Sequence, residues 1–243
     1  MENAILLCYH GSKNLDGRRD TKKLTKIFEK KVNSELIKYG YLQNAKPNIS
    51  SQISLLLKKK IKKITIIPGM LFPGNHVVKD IPNIVNKFKK KNLRINILPP
   101  LISLKGFFRL IEKNIHSKIR TIRKDNKTCL ILIASNTLNK IAISQMNIIL
   151  KKISARYQIK NSKIIMIGSK STFLKKKLLE LNKEGISQFI IVPLLLFRGE
   201  LLKNCINVTN YFKDPKKKIN CILLPHLKNY NEISNYLIKS LSL

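Results

Sequence analysis

The chain has 243 residues, 44% of them hydrophobic, which is enough for a substantial core and argues against wholesale disorder. It carries 48 Lys and Arg against 13 Asp and Glu, a formal net charge of +35, which invites a polyanionic partner. No apolar run reaches the roughly 18 residues of a membrane-spanning helix, so no such helix and no membrane partner are expected.

The first predicted strand is "AILLCYHGS" (4–12), followed by a long polar-faced helix around 18–39. "ITIIPG" (64–69) precedes a helix near 78–91, and "RINILPPL" (94–101) precedes another from about 104 to 119. Runs apolar on both faces that alternate with helices predict parallel strands in an α/β sheet. The series then recurs. "LILIASNT" (130–137) repeats "ILLCYHGS" (5–12) at an offset of 125 residues. "FIIVPLLLFRGELL" from Phe189 repeats the segment from Ile64 at the same offset, with Pro68 on Pro193, Phe72 on Phe197 and Gly74 on Gly199. Pro100 falls on Pro225 in the same frame. The expected architecture is therefore two tandem, doubly wound, parallel-sheet α/β domains related by an internal repeat. They cover residues 1–120 and 126–243 and are joined by the polar "TIRKDNK" (121–127). A chain holding both copies fits a monomer.

The repeat also acts as an internal control. Residues needed for folding should persist in both copies, as Pro68 and Gly74 do. His10 faces Ser135 and His76 faces Leu201, so both histidines are confined to the first copy. Chemistry is thus expected in the first half. In an open parallel sheet the loops at the carboxyl ends of the strands border the ligand crevice, which is where His10 and His76 both fall. Neutral imidazole suits metal ligation and proton acceptance; two unrelated surface histidines are the bland reading. His116 reads as solvated on a basic helix; His226, at a strand end opposite Leu101 in copy one, reads as a packing or surface residue, with a place lining the cleft from the far side as the alternative.

Gly11 and Ser12 sit where a helix begins, so backbone N–H groups there could hold a carboxylate, with Lys13, Arg18 and Arg19 adding charge. No nucleotide-binding loop and no nucleophile elbow is present. The lysine runs are scattered, and the abundance of Lys, Ile and Asn fits compositional drift. With 7% aromatic residues and no Trp, stacking platforms for bases are scarce, which sets a nucleic-acid role well behind the others. Cys8, Cys129, Cys205 and Cys221 form no Cys-x-x-Cys pair and read as reduced thiols. The first predicted strand begins at Ala4, so no leader is expected. A reducing compartment where the protein is made is expected, a bacterial cytoplasm or, for an organelle-encoded chain, the plastid stroma.

The ordered set "ILLCYHGS", "YLQNAKPNISSQI" (41–53) and "ITIIPGMLFPGNHVVKDIP" (64–82) resembles the successive motifs of the sirohydrochlorin chelatases, in their long two-domain form. The resemblance covers nearly the whole chain, with "VPLLLFRGELL" like the degenerate second copy. It implies two domains facing each other across a tetrapyrrole cleft, and a divalent metal (Fe²⁺, Co²⁺ or Ni²⁺) as substrate with no permanently bound cofactor. It also implies that His10 and His76 bind the metal and help remove pyrrole protons. The acidic macrocycle sirohydrochlorin is the implied ligand, and Gly11, Ser12, Lys13, Arg18, Gln43, Lys79 and Arg198 are the candidate residues to contact it. One departure is plain: the family usually has a glutamate where this chain has Gln43. A glutamine can offer a carbonyl oxygen but cannot take a proton, so a carrier that lost turnover is the alternative.

Overall fold

The apolar runs do form parallel strands. The computed structural model describes residues 2–32, 36–88, 93–168 and 172–242. In chain order it has β1 (Asn3–Tyr9), α1 (Leu15–Lys31), β2 (Leu36–Tyr41), α2 (Ile49–Lys58), β3 (Lys63–Pro68), α3 (Ile81–Asn86) and β4 (Arg94–Ile97). Then come α4 (Phe107–Ile119), β5 (Thr128–Ser135), α5 (Lys140–Arg156), β6 (Asn161–Ile167), α6 (Thr172–Lys183), β7 (Gln188–Pro193), α7 (Glu200–Tyr211), β8 (Asn220–Leu223) and α8 (Tyr230–Lys239). The strands build two four-stranded parallel sheets, ordered β2-β1-β3-β4 and β6-β5-β7-β8.

The registers carry the repeat. Ala4 pairs with Leu36 and Ile64, and Cys129 pairs with Asn161 and Phe189, each at the 125-residue offset. The last strands differ. Ile64 pairs with Ile95 but Phe189 pairs with Cys221, one residue further on. Leu98 N–H donates to Ile66 O, and Leu224 N–H donates to Ile191 O. Pro225 therefore occupies the place of Pro99, and His226 that of Pro100, which corrects the expected Pro100–Pro225 match. The extra residue lies in the second copy, ahead of β8.

Two further expectations are corrected. The predicted helix over 18–39 starts earlier and ends at Lys31, and β2 takes its last part. Asn14 caps α1 by accepting from Asp16 N–H, while Asp16 in the first turn and Lys30 and Lys31 in the last complement the helix dipole. β2 and its counterpart β6 are edge strands of mixed exposure, so they lack the apolar run that marks a central strand. The predicted 78–91 helix is α3 preceded by a π-helical turn, His76–Asp80; its last residues, from 89, lie outside the described residues.

The compact units do not coincide with the sequence repeat. One comprises Met1–Phe107 with Asn229–Leu243, the other Phe108–Lys228. The first thus holds α8, whose residues Ile233 and Leu237 are buried, and the second holds α4. In the first unit Lys31 Nζ donates to Asn235 Oδ1 (2.8 Å), tying α1 to α8, and Tyr236 packs on Phe107 while its hydroxyl donates to Gly106 O. In the second, Arg156 on α5 pairs with Glu112 on α4, and His116 lies 2.9 Å from the Tyr157 hydroxyl. His116 is therefore a half-buried, hydrogen-bonded residue, not a solvated one.

Beneath the carboxyl edge of the first sheet, hydroxyls tie α1 to the strands. Thr21 donates to Arg18 O and Thr25 donates to Thr21 O. The Tyr41 hydroxyl therefore donates to Thr21 Oγ1 (2.8 Å) and the Tyr9 hydroxyl to Thr25 Oγ1 (3.0 Å). Gly69 N–H donates to Cys8 O, and a Cβ on Gly69 would lie 2.4 Å from the Tyr9 ring. That close approach fixes where the loop after β3 departs.

Candidate active site

β1 is buried from Ala4 to Tyr9, and His10 is the first exposed residue beyond it. The pairing of Cys8 with Gly40 and with Pro68 brings the ends of β1, β2 and β3 together. The loops after them carry His10, Gln43 and His76 respectively.

Backbone bonds lock the first two loops. Leu42 N–H donates to Tyr9 O and Gln43 N–H to His10 O (3.1 Å). Gly11 lies over Gln43 with φ +94°, in the left-handed region where a side chain is strained. A Cβ there would lie 1.8 Å from Gln43 O.

The imidazoles of His10 and His76 meet edge to face, with ring centroids 4.4 Å apart and an interplanar angle of 82°. His10 Nδ1 lies 2.9 Å from Gly11 O, a carbonyl that can only accept, so Nδ1 carries the proton. Its Nε2 therefore presents a lone pair, and the Gln43 amide nitrogen sits 2.9 Å from it, donating. His76 Nδ1 lies 2.6 Å from Asp80 Oδ2, and among the described residues this is the only hydrogen bond of its ring. Both histidines are thus held as the tautomer whose Nε2 can take a metal or a proton. Although the residue is exposed overall, partial desolvation of its ring holds the His10 imidazole below the ordinary histidine value of 6.5; the Gly11 bond works against it, His76 adds to it, and the Asp80 charge opposes it.

The other expected residues divide. Ser12 Oγ accepts from Asn14 N–H and so serves the start of α1. Arg18 is half-buried on the first turns of α1, and its Nε is enclosed with no hydrogen-bond partner among the described residues. Lys13 and Lys79 are exposed on the same unit. Arg198, on the loop between β7 and α7, belongs to the second unit and is exposed there. His226 also lies in the second unit, half-buried past the end of β8. Asp80 was not anticipated from the sequence, although its spacing of four from His76 on a helix is the signal that finds it.

Among the described residues no group of three or more His, Cys, Asp or Glu side chains could hold a metal ion. The cysteines are free, and burial pushes the thiols of Cys129, Cys205 and Cys221 up to about 11, 12 and 12. None of them presents a thiolate near neutral pH. Among the described residues no helix is long and apolar enough to cross a membrane.

Comparison with known proteins identifies a family. The family model described as CbiX matches residues 4–120 and again 130–242. The chloroplastic sirohydrochlorin ferrochelatase of Arabidopsis thaliana is 24% identical over 136 residues, 55% of this chain and 60% of that protein. The chain thus spans less than two thirds of that relative. The sirohydrochlorin cobaltochelatase of Saccharolobus islandicus is 30% identical over 105 residues, 40% of this chain and 80% of that enzyme. Among solved structures, SirB from Bacillus subtilis with Fe3+ superposes with a TM-score of 0.74 at 18% identity, over 100% of this chain and 95% of that one. At that identity the likeness concerns the fold.

Proposed function

The chain belongs to the CbiX family, and from that membership we propose that it inserts a divalent metal ion, Fe²⁺ or Co²⁺, into sirohydrochlorin on the way to siroheme or cobalamin. The observation that carries the proposal is the His10–His76 pair, two imidazoles at 4.4 Å with both Nδ1 atoms engaged and both Nε2 atoms left as bases. Two imidazoles bind Fe²⁺, Co²⁺ or Ni²⁺ well enough to capture the ion and loosely enough to release it. Insertion breaks two pyrrole N–H bonds as the metal–nitrogen bonds form, and the two protons leave as the cation arrives. Imidazoles that give up the metal become free to accept those protons. The macrocycle is an acidic ligand, and the unpartnered Nε of Arg18 is a donor suited to a carboxylate. Gly11, Ser12, Lys13, Gln43 and Lys79, all of the first unit, complete the proposed contacts there. A monomer in a bacterial cytoplasm or a plastid stroma accommodates this reading.

A second reading, a carrier that binds without turnover, is favoured by one observation. The Gln43 amide donates to the His10 Nε2 that the metal needs, and position 43 offers no proton acceptor. Anaerobic sirohydrochlorin mixed with Co²⁺ or Fe²⁺ separates the two by its visible spectrum. Metallation faster than the spontaneous rate supports the chelatase; binding of the macrocycle without acceleration supports the carrier.

A further inference from the structure

We propose that Asp80 is the positioning residue of the metal-handling pair: its carboxylate holds His76 as the Nδ1–H tautomer, so that Nε2 stays open for the cation. The inference rests on the chelatase reading for the metal's part in catalysis, and on geometry for the rest. The His76 Nδ1–Asp80 Oδ2 distance of 2.6 Å is at the short end for a nitrogen donor, as expected when the acceptor is ionised. A histidine that binds a metal through one nitrogen is commonly oriented by a carboxylate on the other.

The internal repeat supports the same assignment. Asp80 and His76 belong to a single π-helical turn, closed by Ile81 N–H donating to His76 O. In the second copy the matching positions are Leu201 and Cys205, on the regular helix α7, where Gly199 O accepts from Lys203 N–H. The histidine, the aspartate and the widened turn are therefore all absent together from the copy that lacks His10. π-helical turns recur at functional sites, and this one carries both members of the pair. Cys205 is fully buried, so the position has a packing role when the chemistry is gone.

Charge completes the argument. Gln43 is neutral, so among the described residues Asp80 is the only carboxylate hydrogen-bonded to either imidazole. Its side chain is 46% exposed and that of His76 35%, and a pair so open to water contributes little to stability. A role in folding is thus a weak explanation for it.

The test uses the full chain as Asp80→Asn, Asp80→Ala and wild type. ¹⁵N-detected NMR of the metal-free protein reads the His76 tautomer, and titration with Co²⁺ alone reads affinity through the visible absorption of the bound ion. Wild type is expected to show Nδ1–H at His76. Asp80→Asn, whose amide oxygen still accepts, should keep that tautomer and bind Co²⁺ within severalfold of wild type. Asp80→Ala should lose the tautomer preference and bind Co²⁺ about 10- to 100-fold more weakly, with Tm within about 2 °C of wild type. The proposal is overturned if Asp80→Ala keeps the Nδ1–H form and the wild-type affinity. It is equally overturned if affinity and Tm fall together and Asp80→Asn restores neither. Should wild type fail to metallate sirohydrochlorin while these differences are found, the chelatase reading falls and the positioning role stands. Should metallation occur with Asp80→Ala unchanged in tautomer and affinity, the reverse holds.

Discussion

Gly11 and Gln43 approach so closely that a Cβ on Gly11 would sit 1.8 Å from the Gln43 carbonyl oxygen. With φ at +94°, the position also penalises any side chain by its backbone conformation alone. Gly11→Ala is therefore expected to lower stability by about 3 kcal/mol and to pull the His10 and Gln43 loops apart. Chemical denaturation measures the first effect, and Co²⁺ titration the second. A variant with wild-type stability would contradict the contact.

Gln43 donates to the lone pair of His10 Nε2, so a metal must displace it. Gln43→Ala removes a hydrogen bond worth about 1 kcal/mol, and Co²⁺ should then bind roughly fivefold more tightly. Weaker binding would mean that the glutamine holds the ion itself, through its carbonyl. Gln43→Glu adds a proton acceptor and should speed metallation by about tenfold or more; a slower rate would show that the site is built around the amide.

The lowered proton affinity of His10 has a definite sign. The folded chain keeps this ring neutral where the unfolded chain binds a proton, so stability falls as pH drops from 6.5 towards the lower folded midpoint and levels off below it. NMR titration of the His10 ring should give a midpoint under 6.5, and His10→Asn should flatten the slope of stability in that window. A midpoint at or above 6.5 would show that burial does not dominate.

Helix α8 belongs to the unit that begins the chain, packed with α1. Leu237 and Ile233 are buried there, and Leu237→Ala should cost roughly 2–5 kcal/mol. Hydrogen exchange should then show faster opening of α1. If only the second unit loses protection, the helix has been placed in the wrong unit.

The central strands and the pair of histidines were legible in the sequence for a common reason. β1, β3, β5 and β7 are buried on both faces and so read as unbroken apolar runs, and the repeat separated scaffold residues from His10 and His76. The edge strands β2 and β6 mix Lys38 or Lys163 with apolar residues, and the first was absorbed into a helix prediction. The one-residue shift that sets Pro225 on Pro99 was hidden because Pro100 stands next to Pro99, and only hydrogen-bond register distinguishes them. Asp80 escaped notice because one acid on an exposed helical turn resembles any solvated residue. Its meaning comes from the 2.6 Å to His76.

The central claim is that His10 and His76 together deliver the metal. Its most direct test is the rate of Co²⁺ insertion into anaerobic sirohydrochlorin by wild type, His10→Ala and His76→Ala, each checked for an unchanged unfolding midpoint. The account predicts catalysis in wild type and a fall to the spontaneous rate in both variants. Catalysis surviving in either folded variant would contradict it.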